Sequence, residues 1–467
     1  MKQTPKRLVG TLVAVAMLAA MACFPMEAAA AAKYRWKVAT LAPKGIGWSK
    51  QFEDIVLPAV EQGSNGELKL KVYWGGVMGD DEAYIRKMEV GQLHGAGLTA
   101  QGATLACPEF AVVELPFLFD SYDEVDYIRD RMQSTFDYYF GLYGFKLTFW
   151  IDQDFDQIYS MVSPLANLED FKKTTFVSWY GPLEQKLFEV LGAGSVPLNV
   201  PGIPGALRGG KADSGIAPAV WMVGTQLFTT MKYVNTMKIR YSPAAVLVTT
   251  STWESIPVEY QNSLWAMRAD LQRKFVEGVR ADNRTSLEAI VNYGVKETRM
   301  DPKAYKEIKN KAMEVYQALA GDVYPEELLQ ELKRYLDSYR RGERIELPAA
   351  AMAQAPSAPA KTGAAVAEKA SAEEAAAQEA AEPAAPAPEK AATKEDKAKA
   401  RKAAWEERTR HTREVQEKLK SLGYYSSTVD GIVGPMTFKG VVQYQKEKGL
   451  LPTGAIDDKL LESMGIK

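Results

Sequence analysis

The chain has 467 residues, 46% hydrophobic and 25% charged, with a formal net charge of -2. That length exceeds one ordinary hydrophobic core, so two or more domains are expected, and 57 Lys+Arg against 59 Asp+Glu lacks the basic excess of a nucleic-acid-binding protein. With only 2 His and 2 Cys, a His/Cys zinc site and a disulfide-stapled scaffold are close to excluded. No cofactor is expected, and a Ser-His-Asp or Cys-His enzyme would have to recruit His94 or His411.

At the start, Lys2, Lys6 and Arg7 precede an apolar run from Leu8 to Ala22 and the small-residue stretch Ala28 to Ala32. This order predicts a secretory signal peptide over residues 1–32; the competing reading, a retained anchor, needs a longer apolar run. Cys23 follows Ala20-Met21-Ala22, which resembles a lipoprotein box lacking its usual leucine, so cleavage near Ala30 to Ala32 is favoured over lipidation. Cys107 is then unpaired and reads as a small buried hydrophobe.

Residues 33–345 alternate strand and helix patterns. Tyr34 to Thr40 reads as a strand, and a helix from Trp48 to Gly63 follows with Phe52, Ile55, Val56, Ala59 and Val60 on one face. Leu68 to Trp74 is a second strand and Asp80 to Gly91 a helix. Such alternation predicts parallel sheets flanked by helices, with ligands bound at the carboxyl ends of strands between two lobes. The stretch from Pro302 to Arg341 is amphipathic; it is expected to pack across the lobes, with a homodimer contact as the alternative. His94 reads as packed or partly exposed rather than as a ligand.

Residues 346–410 are rich in Ala, Pro, Lys and Glu and have little to bury. They read as a linker; a flexible coil of about sixty residues spans roughly 45 Å. The run from Lys394 to Arg410, free of Pro and Gly, is suited to a solvated helix. Residues 411–467 then predict three short helices: Val415, Leu419 and Leu422 on one face; a second helix starting at Pro435; a third after Asp457.

In that last segment, Val415-Gln416, Leu419, Leu422-Gly423-Tyr424, Val429-Asp430-Gly431, Gly434-Pro435, Thr437, Tyr444-Gln445 and Gly449-Leu450 fall in an order that resembles the type 1 peptidoglycan-binding domain. The resemblance implies non-catalytic attachment to the cell wall, with Asp430, Gly434 and Thr437 the expected glycan contacts.

The large domain carries its own set: Gly66 to Val72, Gly75-Gly76 with Gly79, Pro108-Glu109-Phe110, Leu115-Pro116-Phe117-Leu118-Phe119, Leu168 to Lys172, Ala206 to Gly210 and Ala212-Asp213. These resemble the solute receptors of tripartite ATP-independent periplasmic (TRAP) transporters, the DctP type. The resemblance implies an α/β, two-lobed periplasmic-binding-protein fold that closes on a hinge around a small molecule and delivers it to a membrane permease. It implies no catalysis and places the protein in the periplasm, attached to the wall by its last domain. A wall-modifying enzyme carried by the same module is the alternative; two carboxylates would suffice for it.

The chain departs from the family pattern where a substrate carboxylate is usually held. Val177 stands where the family carries an arginine, and Ala217 where it often carries an asparagine. A carboxylate buried there without partners would cost several kcal/mol. Trp179, Tyr180 and Trp221 flank these positions, and Trp48, Trp150 and Gln153 complete the expected ligand-binding set. The expected ligand is apolar or amphipathic. Arg86, Arg208 and Arg240 are the residual candidates for holding an acid, each with a surface or lobe-packing reading beside it.

Overall fold

The computed structural model describes residues 32–179, 181–343, 394–426, 429, 431, 435–450 and 456–466. Residues 1–31, where an export signal is expected, and most of the segment expected to be a linker lie outside them.

The large domain is built on two sheets. The first contains β1 (Tyr34–Thr40), β2 (Leu68–Tyr73), β3 (Gly95–Leu98), β4 (Phe145–Phe155) and β10 (Tyr241–Thr249), in the order β2-β1-β3-β10-β4. The second contains β5 (Gln157–Ser160), β6 (Thr175–Trp179), β7 (Gly194–Leu198), β8 (Ser214–Ala217), β9 (Tyr233–Asn235) and β11 (Lys296–Thr298), in the order β11-β9-β5-β8-β6-β7. In β1 the alternation works as expected: Trp36 and Val38 are buried while Arg35 and Lys37 are not.

The sheets are mixed rather than parallel throughout. β1, β2 and β3 pair parallel, as do β6, β7 and β8, but β10 runs antiparallel to β3 and β4, and β5 antiparallel to β8 and β9. The exceptions are the strands that carry the chain from one lobe to the other. Only Asp156 separates β4 from β5, and residues 236–240 return the chain from β9 to β10. The crossings lie side by side, since Asp156 N–H donates to the Arg240 carbonyl at 3.0 Å. Two adjacent single-chain crossings between lobes make a hinge.

The predicted Trp48 helix is present with one irregularity, a π-helical turn over Phe52–Val56 between Trp48–Gln51 and Leu57–Gly63. Pro58 has no N–H to offer the Asp54 carbonyl, which accounts for the break in the ordinary ladder. The lobe faces are covered by helices, among them α1 (Pro182–Leu191) and α2 (Ala219–Gly224) in the second lobe. One helix, α3 (Val258–Tyr293), runs along both lobes: Arg268 near its start is bonded to Asp137 and to the Thr148 and Leu147 carbonyls, and Tyr293 at its end packs on Phe228. The amphipathic stretch after it forms Pro302–Ala312, Glu314–Leu319 and Glu326–Arg340; Ile308, Val315, Leu328, Leu332 and Leu336 join a core cluster that also holds Phe171, Phe176 and Phe188 of the second lobe, so the stretch packs across the lobes.

The C-terminal module consists of α4 (Lys394–Ser421), α5 (Pro435–Glu447) and α6 (Asp458–Met464). Val415, Leu419, Val441, Tyr444, Leu460 and Met464 form a core of its own. The run from Lys394 to Arg410 is helical, as its freedom from Pro and Gly predicts, and it continues unbroken to Ser421 as the module's first helix. One expectation needs adjusting. Leu422 is 44% exposed, because it follows the end of α4 and no longer shares the Val415–Leu419 face.

Candidate functional site

Two cavities open between the lobes beside the hinge, sharing Thr99, Gln153 and Pro218 as a common wall. The wider holds about 670 Å³ of open space and is lined by Leu41, Pro43, Ile46, Trp48, Val200, Val220, Trp221, Ala244 and Val279, with no charged side chain. The other, about 520 Å³, reaches the hinge and is lined by Thr104, Glu114, Asp156, Trp179, Glu184, Arg240 and Ser242, among others.

Each wall residue is placed by a local feature. Trp48 starts the helix after β1, stacks on Phe52 at 5.4 Å between ring centroids and leans on Phe275 at 5.1 Å. Its ring also lies over Gly97 of β3, where a Cβ would come 2.4 Å from the ring, so glycine is what lets the indole lie there. Its Nε1 is buried and has no hydrogen-bond partner among the described residues. Trp221, on α2, meets Trp179, on β6, with centroids 5.4 Å apart. Gln153 sits near the end of β4, where its Oε1 accepts from Ala100 N–H at 2.9 Å. Asn283 of α3 ties the lobes together behind the cleft: its Nδ2 donates to the Gln153 carbonyl at 2.7 Å, and its Oδ1 accepts from Val220 N–H at 3.0 Å. Across the mouth, Asn199 Nδ2 donates to Asp80 Oδ2 at 3.1 Å.

The hinge end is a charged cluster. Arg240 Nε donates to Asp156 Oδ2 at 2.7 Å, its Nη2 lies 2.7 Å from Glu184 Oε1, and its Nη1 lies 3.7 Å from Glu114 Oε2. Glu114 belongs to the first lobe, Glu184 to α1 of the second, and Asp156 and Arg240 to the two crossings. Ser242 and Thr104 donate to Asp156 and Glu114, both at 2.7 Å, and Trp179 N–H donates to Glu184 Oε2 at 2.6 Å. Burial pushes the Glu114 and Glu184 carboxyls up to about 7, Arg240 pulling the other way. The same burial raises Asp156. Burial disfavours the Arg240 charge too, but Glu184, Asp156 and Glu114 outweigh it and hold the guanidinium above its ordinary range.

Of the residues expected from sequence, Trp48, Gln153, Trp179 and Trp221 line these cavities. Trp150 does not: it is fully buried in the first lobe against Phe110 and Phe136, because its position on β4 points into the helix-covered face. Val177 and Ala217, both 2% exposed, belong to an apolar cluster with Met222 and Leu227, so the usual arginine and asparagine positions are here part of the second lobe's packing. Trp179, two residues after Val177 on the same face of β6, reaches the cavity. Tyr180 lies outside the described residues. Of the arginines, Arg240 is the one at the site, and its donors already face carboxylates; Arg208 bonds the Thr225 carbonyl and Arg86 pairs with Glu82. Glu114, Asp156 and Glu184 were not among the expected residues. They lie far apart in sequence with no motif joining them, and each alone reads as a surface carboxylate.

His94 is half-buried, its Nδ1 accepting from Lys37 N–H at 3.1 Å, and Cys107 is fully buried. In the C-terminal module, Gln416 is buried and holds the turn: its Oε1 accepts from Gly431 N–H at 2.9 Å and its Nε2 donates to Thr437 Oγ1 at 2.9 Å and Tyr425 Oη at 3.2 Å. Thr437 is 1% exposed, which makes it a support of the turn rather than an open contact. Asp430 and Gly434 lie outside the described residues. Among the described residues, no group of three or more His, Cys, Asp or Glu side chains could hold a metal ion, and no helix is long and apolar enough to cross a membrane.

The fold has many solved counterparts. A sugar acid binding protein from Advenella mimigardefordensis, solved with galactonate, superposes with a TM-score of 0.62 at 17% identity, covering 66% of this chain and 99% of that one. A TRAP periplasmic solute binding protein from Desulfovibrio salexigens with bound orotic acid gives 0.61 at 20% identity, covering 66% and 99%. In sequence, the C4-dicarboxylate-binding periplasmic protein of Rhodobacter capsulatus is 23% identical over 304 residues, 62% of this chain and 87% of the relative. The 2,3-diketo-L-gulonate-binding periplasmic protein of Escherichia coli is 20% identical over 268 residues, 56% and 78%. Residues 410–464 match the peptidoglycan binding domain model. Residues 38–322 match the model of bacterial extracellular solute-binding protein, family 7, and the chain belongs to that family, the solute receptors of TRAP transporters.

Proposed function

We propose that the protein is a periplasmic receptor that captures a small ligand with an apolar body for a TRAP-type permease, while its C-terminal module attaches it to peptidoglycan. The observation that carries the ligand class is the uncharged wall of the wider cavity, with Trp48 and Trp221 facing it from opposite lobes. The named relatives bind acids, but here Val177 and Ala217 are packed away from the cleft and Arg240 is surrounded by carboxylates. An acid would enter without a free cation to meet it, and an unpaired buried carboxylate costs several kcal/mol. The aromatic walls favour a planar or hydrocarbon surface, which loses water on closure. Residues 1–32 act as the export signal and residues 346–410 as the tether in this reading.

The test is mass spectrometry of small molecules released on denaturing freshly purified protein, followed by calorimetry with the compound found. An apolar or amphipathic compound is expected. Clear thermal stabilisation by succinate or galactonate would overturn the ligand class. Clearing of a peptidoglycan zymogram would overturn the receptor reading in favour of a wall-modifying enzyme.

A further inference from the structure

The hinge cavity carries three carboxylates, Glu114, Asp156 and Glu184, around one guanidinium, Arg240, with no other cation in its lining. Asp156 is 0% exposed, and while its Oδ2 is bonded to Arg240 and Ser242, its Oδ1 has no hydrogen-bond partner among the described residues. Asp156 lines the cavity, and its buried carboxylate oxygen without a donor is a group awaiting one, because leaving it unmet costs its full desolvation. Beside it stands Trp179, an aromatic surface in the same wall, to which a cation is attracted. No cluster among the described residues could hold a metal ion, so a compact divalent cation is not the donor that fits. A small group with several N–H donors and one positive charge fits.

We propose that the hinge cavity receives a protonated amine, so that the ligand is an amphipathic cation whose apolar body extends from Trp179 toward Trp48 and Trp221. This rests on the solute-receptor reading given above. The ammonium donates to Asp156 Oδ1 and is flanked by Glu184 of one lobe and Glu114 of the other, so its charge draws the lobes together at the hinge. Glu114 faces Arg240, Thr104 and Asp156; Glu184 faces Arg240, the Trp179 N–H, Asp156 and Glu114. Both carboxyls are held up near 7 by burial, so an arriving cation favours their ionised forms and displaces protons. Affinity therefore rises between pH 6 and pH 8.

The full chain is titrated calorimetrically with phenethylamine, 2-phenylethanol and 3-phenylpropionate, which share a ring and differ in charge. The amine is expected to bind at least about tenfold tighter than the alcohol, a difference of about 1.4 kcal/mol, with the carboxylate weakest. Glu184→Gln removes the preference of amine over alcohol, and Glu114→Gln provides the same reading should the first variant fold poorly. Equal binding of amine and alcohol overturns the cation site while leaving an apolar receptor in place. Preferred binding of the carboxylate overturns both, as does no binding by any of the three. A preference that survives in both variants overturns the assignment to these carboxylates.

Discussion

At Gly97 a single hydrogen atom decides whether a tryptophan can form the cleft wall. The Trp48 ring occupies the space where any side chain at 97 would project, and the stacking on Phe52 leaves the indole little room to retreat. Gly97→Ala is therefore expected to cost about 1–3 kcal/mol through overpacking and to weaken ligand binding by displacing Trp48. A urea melt combined with Trp fluorescence reads both. Unchanged affinity with lowered stability would remove Trp48 from the binding wall. Glu184 offers a second test at this scale. Its raised carboxyl favours the protonated folded form, so its contribution to stability is complete below its unfolded value near 4.5 and is lost as pH climbs through about 7. In scans without added ligand the protein should thus lose melting temperature between pH 5 and pH 8, and Glu184→Gln should flatten that loss. Thermal scans across the range, wild type against variant, check the slope. The same residues show how far the sequence could be read. Trp48, Gln153, Trp179 and Trp221 were legible because a family pattern located the pocket and aromatics stood beside it. The carboxylates were not, because Asp156, Glu184 and Arg240 meet only when two chain crossings and a helix converge. Trp150 shows the converse: one residue of strand register turns an aromatic from cleft to core.

The elements were legible wherever burial is one-sided. β1, the Trp48 helix and the amphipathic 302–341 stretch each bury one face, so their periodicity matched their structure. The antiparallel crossings were not legible, since β10 is buried along nearly its whole length and β4 loses its alternation after Phe149, and an alternating pattern reveals neither strand direction nor partner. α3 was also hidden, its role lying in what it bridges rather than in its own pattern. Asn283 is the residue through which it bridges, holding the Gln153 carbonyl of the first lobe and the Val220 N–H of the second with one amide. Those two groups flank the ligand cavity. Asn283→Ala leaves both unpaired in a buried setting, at a cost of about 1–3 kcal/mol each if water does not replace the amide. Ligand affinity should fall together with stability, because the two lobes lose their common reference. Asn283→Asp keeps the acceptor for Val220 N–H but sets a buried, unpaired carboxylate oxygen against the Gln153 carbonyl, so a loss at least as large as in Asn283→Ala is expected in the same calorimetric titration. A stability loss in both variants with wild-type affinity would show that the bridge only supports the fold.

At the scale of the whole molecule, the solute-receptor domain and the module that matches the peptidoglycan binding domain have separate cores. The C-terminal module encloses Val415, Leu419, Val441, Tyr444, Leu460 and Met464 in a cluster that includes no residue of the lobes, and its turn is held internally by Gln416. Two cores with independent packing unfold independently, and the smaller, with few large apolar residues to bury, is expected to melt first. A receptor serving a permease must open, close and reorient, whereas an anchor must stay bound; placing both in one rigid body would make every wall contact a restraint on closure. In the proposed reading, the Ala- and Pro-rich segment between the two cores keeps these demands apart. Deleting residues 411–467 should therefore leave ligand affinity within about twofold, well under the 1.4 kcal/mol of a tenfold change, while abolishing co-sedimentation with purified cell-wall sacculi. The isolated module, by contrast, should sediment with sacculi on its own. If the truncated receptor still sediments, the wall contact belongs to the lobes. If truncation instead weakens ligand binding, the two domains are coupled, and the tether acts as more than a spacer.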